Sequence, residues 1–447
     1  MKTSRYNVIY SQESGYILYN TYTCQTLYLS SELAEILSEY DTCIDDLSSL
    51  HPSFFKALVD GGFVIHNNVD EIEAVEQLRL DSLADPSQYH LTINPTLDCN
   101  FHCWYCYESK VKDSEMSPRT IKSTISLIDN ILCKNPQLKR FHLYFFGGEP
   151  LLKFNEVIKP VLKAFSEKTK GRDIFRTVQI TTNGALLNDE MLSFFKNCGI
   201  FTAFQIAFDG YGDNHNKSRF SKIHPKSYQL LIKNVKKLLE KEIFVTVRVN
   251  YTHKNAEDLI RILDEFKDCS EEERKRIIYT PVRIWQDATN AVTKRACDNI
   301  SINKSDCIVT AKSNESIKYA ASLGMNVMPI NSIDSVRNPC KHSYVNAASI
   351  NYNGDVFKCC ARAFNDDNRE GILKTDGTIE WKDDLNSRIF RKRTDFNHVC
   401  KECILFPVCG GGCVQTFKDF NEEYCLYRFD EKSKLEAVKR LVSLTKM

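Results

Sequence analysis

Three cysteines in one short loop are the residues of this sequence best suited to metal chemistry. They are Cys99, Cys103 and Cys106, at C-x3-C-x2-C spacing. Four ligands close a tetrahedral zinc or iron–sulfur site, so this loop is one ligand short. A four-iron cluster held by three cysteines keeps one iron open to a ligand from outside the protein. The alternative is a zinc site completed by His102, although zinc motifs usually pair C-x2-C units.

A second group of cysteines lies in the last quarter of the chain. Its spacing is Cys340-x13-Gly354-x4-Cys359, a gap of forty residues, and then Cys400-x2-Cys403-x5-Cys409-x3-Cys413-x11-Cys425. Clustering of this kind indicates ligation of metal or of clusters. The alternative is a pair of zinc ribbons, but ribbons repeat C-x2-C on both halves, and here only Cys400 and Cys403 have that spacing.

Composition sets limits on class and compartment. The 447 residues carry 59 Lys and Arg against 58 Asp and Glu, a net charge of +1 that does not suggest nucleic acid or a charged membrane as the main partner. The N-terminus lacks an apolar targeting region and no apolar run approaches a membrane span, which predicts a cytoplasmic protein. In that reducing compartment the 18 cysteines are not expected to form disulfides. Six scattered ones are expected to be ordinary buried thiols: Cys24, Cys43, Cys133, Cys198, Cys269 and Cys297.

Between residues 90 and 286 strand-like and helix-like segments alternate, which predicts a parallel α/β sheet. The six predicted strands cover residues 91–93, 141–146, 178–183, 204–209, 244–250 and 277–282. Six β/α units are too few to close an eight-stranded barrel. Polar residues at the ends of these strands are candidate site residues, because parallel barrels place their chemistry at that rim.

Residues 5–65 read as a separate small domain. Short strands at 8–10, 16–19 and 26–28 precede two amphipathic helices, and Gly61-Gly62 stops the second helix before a strand at 63–65. A charged helix follows as a linker, and its acidic residues are expected to form a solvated face.

The cysteine loop, Tyr105 before its last cysteine, and Gly147-Gly148-Glu149-Pro150 at the end of a strand together resemble the radical S-adenosylmethionine (radical SAM) superfamily. The resemblance implies an open, partial (β/α)6 TIM-like barrel and a [4Fe-4S] cluster on Cys99, Cys103 and Cys106. S-adenosylmethionine would occupy the open iron. Nothing in a zinc motif calls for the Gly-Gly-Glu-Pro partner.

The same resemblance implies which residues contact S-adenosylmethionine. Tyr105 would contact the adenine, and Gly147, Gly148, Glu149 and Pro150 would lie beside the methionine amino group. Arg219 is favoured for the methionine carboxylate, by charge-assisted pairing. The remaining candidates match positions that bind ribose or carboxylate, or that steady the loops: Asn183, Gln205, Asp209 and Asn250. For each of them a plain turn or strand-end cap is the alternative.

The C-terminal cysteines resemble the SPASM domain of radical SAM peptide maturases, which implies two auxiliary [4Fe-4S] clusters and three clusters in total. Cys340, Cys359 and Cys413 would hold the nearer auxiliary cluster, and Cys400, Cys403, Cys409 and Cys425 the outer one. The residues just before Cys340 offer no fourth ligand for the nearer cluster. It would therefore keep an open iron, or take Cys360 or Cys307.

The first domain resembles the winged-helix peptide chaperone called the RiPP recognition element, in which a strand edge and a neighbouring helix hold a leader peptide. The alternative is a structural cap that binds nothing. The resulting prediction of domains is 1–66 winged-helix-like, 67–88 linker helix, 89–290 radical SAM core, 291–339 bridging region and 340–447 SPASM domain.

Together these resemblances imply an enzyme that cleaves S-adenosylmethionine reductively. The 5′-deoxyadenosyl radical would abstract hydrogen from a ribosomally made peptide, which then forms a thioether or another crosslink. The implied partners are a peptide with a leader segment and a low-potential electron donor, a flavodoxin or ferredoxin. One alternative is an anaerobic sulfatase-maturating enzyme, which makes formylglycine. In that family a catalytic Asp follows the cysteine equivalent to Cys359, whereas this chain has Cys360. A second alternative is a non-catalytic iron–sulfur partner for electron transfer or peptide binding, against which the intact three-cysteine loop argues.

Overall fold

The structure is a computed structural model that describes residues 1–108, 110–284, 307–327, 336–382, 398–413, 425 and 430–444. The chain separates into two compact units. The first contains residues 1–85, 331–345 and 384–447, and the second contains residues 86–330 and 346–383. Of the bridging region predicted at 291–339, only residues 307–327 and 336–339 fall within the described ranges.

The N-terminal segment contains five strands and four helices. The strands are β1 (Lys2–Thr3), β2 (Asn7–Gln12), β3 (Gly15–Asn20), β4 (Thr26–Leu29) and β5 (Val64–Ile65). The helices are α1 (Ser31–Glu39), α2 (Leu47–Leu50), α3 (Pro52–Asp60) and α4 (Glu71–Leu83), and a 3-10 turn covers Ile44–Asp46.

The second unit begins with alternating strands and helices. Its strands up to residue 327 are β6 (Gln88–Ile93), β7 (His102–Cys103), β8 (Arg140–Phe145), β9 (Phe175–Thr182), β10 (Phe201–Phe208), β11 (Arg219–Phe220), β12 (Phe244–Tyr251), β13 (Ile277–Arg283) and β14 (Asn326–Val327). Its helices are α5 (Pro118–Lys134), α6 (Lys159–Thr169), α7 (Asp189–Asn197), α8 (Asp213–Ser218), α9 (Ser227–Glu240), α10 (Asp258–Asp264), α11 (Glu271–Arg274) and α12 (Cys307–Ser322).

Short elements complete the described chain. Four strands belong to the second unit: β15 (Ala347–Ile350), β16 (Asp355–Phe357), β17 (Gly371–Leu373) and β18 (Ile379–Trp381). Three helices belong to the first: α13 (His398–Lys401), α14 (Phe406–Cys409) and α15 (Glu431–Leu444).

One large sheet organises the second unit. Its strand order is β14-β13-β12-β10-β9-β8-β6-β15-β16-β17-β18. The six strands predicted from the sequence are all present and lie side by side in parallel. The sequence did not reveal the two parallel additions at the sides, β14 next to β13 and β15 next to β6. From β15 onward the pairing is antiparallel, so the segment that carries Cys359 and Cys360 extends the core sheet.

The N-terminal strands β2, β3 and β4 form an antiparallel sheet between two layers of side chains. Leu18 and Leu29 on one face pack with Leu37 of α1 and Leu58 of α3. On the other face, Val8, Ile17 and Tyr19 pack with apolar residues of α14 and α15, all within the first unit. The expected helix stop is present, because Gly61 ends α3 and Gly62 takes a φ of 71°. A residue with positive φ ends a helix at little cost when it is glycine.

The acidic residues of the linker helix α4 do not all form the solvated face expected from the sequence. Asp70 caps it through Ile72 N at 2.9 Å, as an acidic N-cap should. Glu71, however, is buried and accepts hydrogen bonds from the Ser4 hydroxyl and from Arg5 N. Arg79 is also buried. The helix is therefore packed against the rest of its unit, and its charge pattern concealed two buried polar positions.

The expectation of six buried thiols is wrong for two of them. Cys43 and Cys133 are exposed, whereas Cys269 is buried and Cys24 and Cys198 are half-buried. Cys133 is exposed because Ile131 and Leu132, its neighbours on α5, occupy the face turned to the core. Cys297 lies outside the described residues. Within those residues, no helix has both the length and the apolar composition needed to cross a membrane.

Candidate active site

The three-cysteine loop follows β6 and is held by its own backbone and side chains. Thr96 Oγ1 accepts a hydrogen bond from Asp98 N at 2.9 Å, and the Asp98 carboxylate accepts from Cys99 N at 2.8 Å and from Asp113 N at 3.1 Å. These bonds occupy the polar groups of a loop that has no regular ladder. The loop can therefore hold its thiols in place without a long secondary-structure element.

Gly147 and Gly148 pack directly on the backbone of that loop. Gly147 has a φ of 107°, and a Cβ built on it would lie 2.4 Å from Thr96 O. A Cβ on Gly148 would lie 2.2 Å from Asp98 O. Hydrogen bonds from Gly148 N to Thr96 O at 3.1 Å and from Glu149 N to Asp98 O at 2.8 Å complete the contact. These two glycines are thus needed for close approach of two backbones.

The Glu149 carboxylate is fully buried and connects the ends of β8 and β9. It accepts from Leu151 N at 3.0 Å, from Thr182 Oγ1 at 2.7 Å and from Asn183 N at 2.7 Å. Burial raises its pKa, and these three hydrogen bonds act in the opposite direction. The carboxylate is therefore already occupied by protein donors. Pro150 follows it, also buried, at the start of a 3-10 turn.

The three cysteines of the loop are half-buried. Burial raises the pKa of Cys99 to about 11 and of Cys106 to about 12, and it also raises the pKa of Cys103. Cys103 contributes to the shift at both of its partners, so the three thiols lie within electrostatic reach of one another. A cluster must therefore displace protons from these thiols as it binds. Among the described residues, no three His, Cys, Asp or Glu side chains are arranged to hold a single metal ion.

Buried polar atoms beside the loop favour a polar cofactor. Both polar atoms of the Asn94 side chain, Asn100 Nδ2 and Arg219 Nε are buried without a hydrogen-bond partner in the described part of the chain. Such atoms are rare in folded proteins and often mark a ligand position. Three thiols together with unpaired donors and acceptors fit a cluster with one open iron and a polar ligand bound to it.

Four of the predicted residues converge in one network. The Tyr105 hydroxyl donates to both carboxylate oxygens of Asp209, at 2.9 and 2.8 Å. It accepts from Arg219 Nη1 at 2.8 Å and from Asn250 Nδ2 at 3.0 Å. Asn250 Nδ2 also lies 2.9 Å from Asp209 Oδ1. Residues from the cysteine loop and from the ends of β10 and β12 are thereby joined to the first residue of β11.

A short ladder explains why Arg219 reaches this network. Strand β11 pairs with β7 in antiparallel fashion, and Arg219 lies opposite Cys103. Burial opposes ionisation of Arg219, but the nearby Cys103, Tyr105 and Asp209 raise its pKa well above the usual value. The guanidinium therefore remains a cation beside the three-cysteine loop, and a charged guanidinium can bind a carboxylate.

His215 supports the same network from behind. It is fully buried, and its Nδ1 accepts from Asp209 N at 3.2 Å. Burial, and then the charge of Arg219, hold its pKa well below 6.5. The imidazole is neutral and fixes the backbone at Asp209.

The other two candidates occupy different positions. Asn183 Nδ2 donates to Asn100 Oδ1 of the cysteine loop at 2.7 Å, so Asn183 steadies that loop. Gln205 lies in the middle of β10, opposite Thr181 of β9 and Thr246 of β12, and is outside the Tyr105 network. The structure thus brings Asn183, but not Gln205, to the cysteine loop.

Sequence reasoning named Gln205, Asp209 and Asn250 but missed the other polar residues on the same side of the sheet. On β12, Val245, Val247 and Val249 pack in the core, so the intervening side chains Thr246, Arg248 and Asn250 lie on the opposite face. We call that side of β8, β9, β10 and β12, which also carries Asp209, the polar face. Its other members are His142, Tyr144, Thr177, Gln179, Thr181 and Gln205. Alternation of polar and apolar residues within these strands was the available signal, because a parallel sheet buried on both faces would be apolar throughout.

Arg248 has unused donors on the polar face. Its Nε donates to Asn250 Oδ1 at 3.0 Å, and its two Nη groups have no partner among the described residues. Its neighbours across the ladder are Ala207 and Thr280, neither of them acidic. The Thr280 hydroxyl is buried and also lacks a partner in the described structure. This part of the face can bind a group supplied from outside the chain.

The C-terminal cysteines fall in both units. Cys400, Cys403, Cys409 and Cys425, the predicted outer set, all belong to the first unit. Burial raises the pKa of Cys400 to about 11, and the charges of Cys409, Cys403 and Cys425 add to that shift, so Cys400 lies within electrostatic reach of the other three. Cys340 and Cys413 belong to the first unit, and Cys359 and Cys360 to the second. Cys360 is buried, and its carbonyl oxygen lies 3.5 Å from the Tyr107 hydroxyl.

A comparison with family models identifies residues 93–266 as the radical SAM superfamily domain. That range holds the cysteine loop, the Gly-Gly-Glu-Pro segment and the Tyr105 network. The chain contains a radical SAM domain over these residues. Such a domain implies a [4Fe-4S] cluster and S-adenosylmethionine, which the three-thiol loop and its unpaired polar neighbours fit. The zinc interpretation of this loop is not supported.

Curated relatives of this radical SAM protein match parts of it. An uncharacterized protein of Methanocaldococcus jannaschii is 30% identical over 117 residues, 26% of this chain and 38% of its own length. The radical SAM cyclopropyl synthase TigE of Paramaledivibacter caminithermalis is 24% identical over 231 residues, 48% of this chain and 46% of TigE. The chain thus spans less than half the length of these two relatives. A cysteine-type anaerobic sulfatase-maturating enzyme of Clostridium novyi is 22% identical over 336 residues, 71% of this chain and 85% of that enzyme.

Solved structures share the fold. SuiB of Streptococcus suis, bound to its precursor peptide SuiA, matches with a TM-score of 0.54 and 19% identity over 95% of this chain and 98% of SuiB. The anSMEcpe protein with bound AdoMet and a peptide called Cp18Cys matches with a TM-score of 0.57 and 15% identity, over 80% of this chain and 99% of that one. The fold is that of a mixed α/β radical SAM protein with a large parallel sheet.

Proposed function

We propose that this radical SAM protein is an enzyme that modifies a ribosomally made peptide, forming a thioether or another crosslink. The observation that carries the proposal is the junction of the three-thiol loop with the Tyr105–Asp209–Arg219–Asn250 network at the edge of a polar sheet face. A cofactor bound at that edge would lie next to a surface able to receive a polar chain.

Different residues of this chain would bind the cluster and S-adenosylmethionine. Cys99, Cys103 and Cys106 would hold the cluster, and the unpaired Arg219 Nε would bind the methionine carboxylate. When bound, the cluster and S-adenosylmethionine supply the electron and the 5′-deoxyadenosyl radical that takes a hydrogen atom from the peptide. The Gly147–Gly148 contact would fix the distance between the strand end and the loop. Tyr105 would orient Arg219 and Asp209 together.

The polar face would bind the peptide. Its amides, hydroxyls and the Arg248 guanidinium match the hydrogen-bonding needs of an extended peptide. The structure of SuiB with its precursor peptide covers 95% of this chain, which supports a peptide as the substrate class. The two auxiliary clusters remain part of the proposal, with Cys400, Cys403, Cys409 and Cys425 as the outer ligands.

A leader segment would bind at an edge of the N-terminal sheet by adding a strand. Both faces of that sheet are covered within its unit, so its edges are the surfaces left for a peptide. Tyr28 on edge strand β4 is 53% exposed, and Ile9 on the opposite edge strand β2 is 46% exposed. The proximity of β4 to α1 favours β4, because the family holds its leader between a strand edge and a helix.

The test uses full-length protein reconstituted anaerobically with iron and sulfide. With S-adenosylmethionine, a strong reductant and the short peptides encoded beside its gene, we expect 5′-deoxyadenosine and a peptide that has lost two hydrogens. The Cys99→Ala/Cys103→Ala/Cys106→Ala variant should give neither product. Tyr28→Asp should weaken peptide binding while Ile9→Asp leaves it unchanged. Failure of every peptide to react would overturn the proposed function.

The same assay separates the two alternatives. A sulfatase-maturating enzyme would convert a Cys or Ser of its substrate to formylglycine instead of crosslinking it. Formylglycine formation should be assayed because the chain is similar in sequence to the Clostridium novyi enzyme. The buried Cys360 thiol, where that family is expected to carry a catalytic acid, speaks against it. A non-catalytic partner would release no 5′-deoxyadenosine with any substrate.

A further inference from the structure

Lys434 is a buried cation in the part of the first unit that carries the outer cysteines. Its side chain is 8% exposed, and it lies on α15 one turn before Val438. Ala437 and Val438 pack with Leu405 and Val408 in an apolar core. Cys403 and Cys409 pack against that core. The face of α15 that buries Lys434 is therefore the face turned toward the cysteine segment.

The contacts of Lys434 within its own helix do not account for its burial. Its Nζ lies 2.5 Å from Glu431 Oε1, but the Glu431 side chain is 74% exposed. An exposed carboxylate keeps most of its interaction with water and contributes little net stabilisation. Burying an ammonium group costs several kcal/mol unless a buried negative charge compensates it. A second negative charge close to Lys434, less exposed than Glu431, would stabilise the buried ammonium further.

The thiols of the outer set are the groups that can supply this charge. Burial raises the pKa of Cys400 and Cys403, and Lys434 acts against burial at both. Burial lowers the pKa of Lys434, whereas its hydrogen bond to Glu431, and then the charges of Cys403 and Cys425, raise it. As free thiols these groups are neutral, whereas as cluster ligands each carries a negative charge. Thiolates that hold a metal group would therefore stabilise the buried Lys434 ammonium more than free thiols would.

We propose that Lys434 is a positioning residue that compensates the charge of the outer auxiliary cluster and raises its reduction potential. This inference rests on the outer cluster of the proposed function. Reduction adds one negative charge to the cluster, and a fixed cation in a low-dielectric site stabilises the reduced form more than the oxidised form. A higher potential favours an outer cluster that accepts an electron over one that donates it.

The test measures potentials in the full-length, reconstituted protein, without peptide. Three variants are compared with the wild type in a redox titration followed by electron paramagnetic resonance: Lys434→Met, Lys434→Arg and Glu431→Gln. We expect Lys434→Met to lower the reduced-to-oxidised ratio of one cluster by about tenfold at a given potential, a shift of about 59 mV for one electron. Lys434→Arg keeps the charge and should stay near the wild type, as should Glu431→Gln at the exposed partner.

The remaining clusters serve as internal references, since their signals should not move. Equal shifts in Lys434→Met and Lys434→Arg would show a packing effect and overturn the proposal, and so would no shift in Lys434→Met. If Lys434→Met and a fourth variant, Lys434→Gln, both lose the iron of one cluster while Lys434→Arg retains it, the charge requirement is supported. If Lys434→Arg loses it as well, the proposal is overturned.

A variant with alanine at Cys400, Cys403, Cys409 and Cys425 separates this inference from the proposed function. It should lose one cluster's worth of iron. Unchanged iron, or zinc in place of iron at these cysteines, would overturn both the outer cluster and the role of Lys434. An unmoved potential in a protein that still modifies its peptide overturns only the inference. A normal potential shift without any peptide modification overturns only the peptide activity.

Discussion

Arg219 donates its Nη1 hydrogen to the Tyr105 hydroxyl at 2.8 Å, and Arg219 itself lies opposite Cys103 in the β7–β11 ladder. Arg219 is thus in register with one cysteine of the loop and hydrogen-bonded to the residue before another. Because this ladder and hydrogen bond join the Tyr105 network to the three-cysteine loop, we expect a change in one to affect the other.

Replacing Tyr105 with Phe should weaken binding of S-adenosylmethionine by about tenfold or more. The hydroxyl bonds to the charged groups of Asp209 and Arg219, and hydrogen bonds to charged groups contribute roughly 1.5–3 kcal/mol. Equilibrium dialysis of the reconstituted protein would measure the change. Tyr107→Phe is the matched control, because Tyr107 lies in the same loop and its hydroxyl is 3.5 Å from the Cys360 carbonyl oxygen, outside the hydrogen bonds that join Tyr105 to Asp209 and Arg219. Equal affinities of Tyr105→Phe and wild type would contradict the network's role.

Gly147→Ala should prevent the three-cysteine loop from holding its cluster. The added Cβ would lie 2.4 Å from Thr96 O, and neither backbone can retreat without breaking the loop contact. Gly199→Ala is the control, since Gly199 also has a positive φ, 70°, but nothing within 4 Å of its Cβ position. Iron analysis after reconstitution should show one cluster fewer in Gly147→Ala alone. Full iron content in Gly147→Ala would rule out the close-approach argument.

Arg248→Gln should lower kcat/KM for the peptide by about tenfold while leaving the affinity for S-adenosylmethionine unchanged. The two Nη groups of Arg248 lie on the polar face, where they can bind a carboxylate or two carbonyl oxygens. Glutamine cannot reproduce this two-pronged geometry. Arg248→Lys keeps the charge without the fork and should recover only part of the activity. Unaltered peptide kinetics in Arg248→Gln would exclude this residue from the substrate site.

Acidification should destabilise the protein through His215. Its folded-state pKa is held well below 6.5, so below pH 6.5 the unfolded chain binds a proton that the folded chain does not. Stability contributed by this group is therefore complete above about pH 6.5 and falls as the pH drops, by up to about 1.4 kcal/mol per pH unit. The measurement is the urea midpoint between pH 7.5 and 5.5. His215→Asn keeps an acceptor for Asp209 N but does not titrate, so the difference between the two proteins should shrink at low pH. A constant difference would contradict the assignment.

The strand pattern and the cysteine spacing were sufficient to predict the core. Each predicted strand of the parallel sheet is present, because apolar segments between helical stretches have few other stable arrangements. Tyr105, Asp209, Arg219 and Asn250 were named from motif positions, and the structure joins them. Their mutual contacts could not be derived from sequence, since the β7–β11 pairing that brings Arg219 to Cys103 involves only two residues per strand.

Other features depended on tertiary contacts that no local pattern reports. The Glu149 carboxylate accepts hydrogen bonds from Thr182 and Asn183 at the end of the next strand, which no local pattern predicts. Glu71 looked like part of a solvated face, and only the fold shows that Ser4 and Arg5 bury it. The short strand β15 carries small residues, Ala347 and Ala348, that suggest no strand until β6 is placed beside it.

The pairing of β15 with β6 has a consequence for how the protein is made. The first strand of the core waits for a partner that leaves the ribosome about 250 residues later, tens of seconds at ordinary rates of synthesis. Throughout that interval β6 presents an open edge directly ahead of the three-cysteine loop, a site for mispairing between chains. Slower translation prolongs that interval and should therefore favour aggregation over assembly.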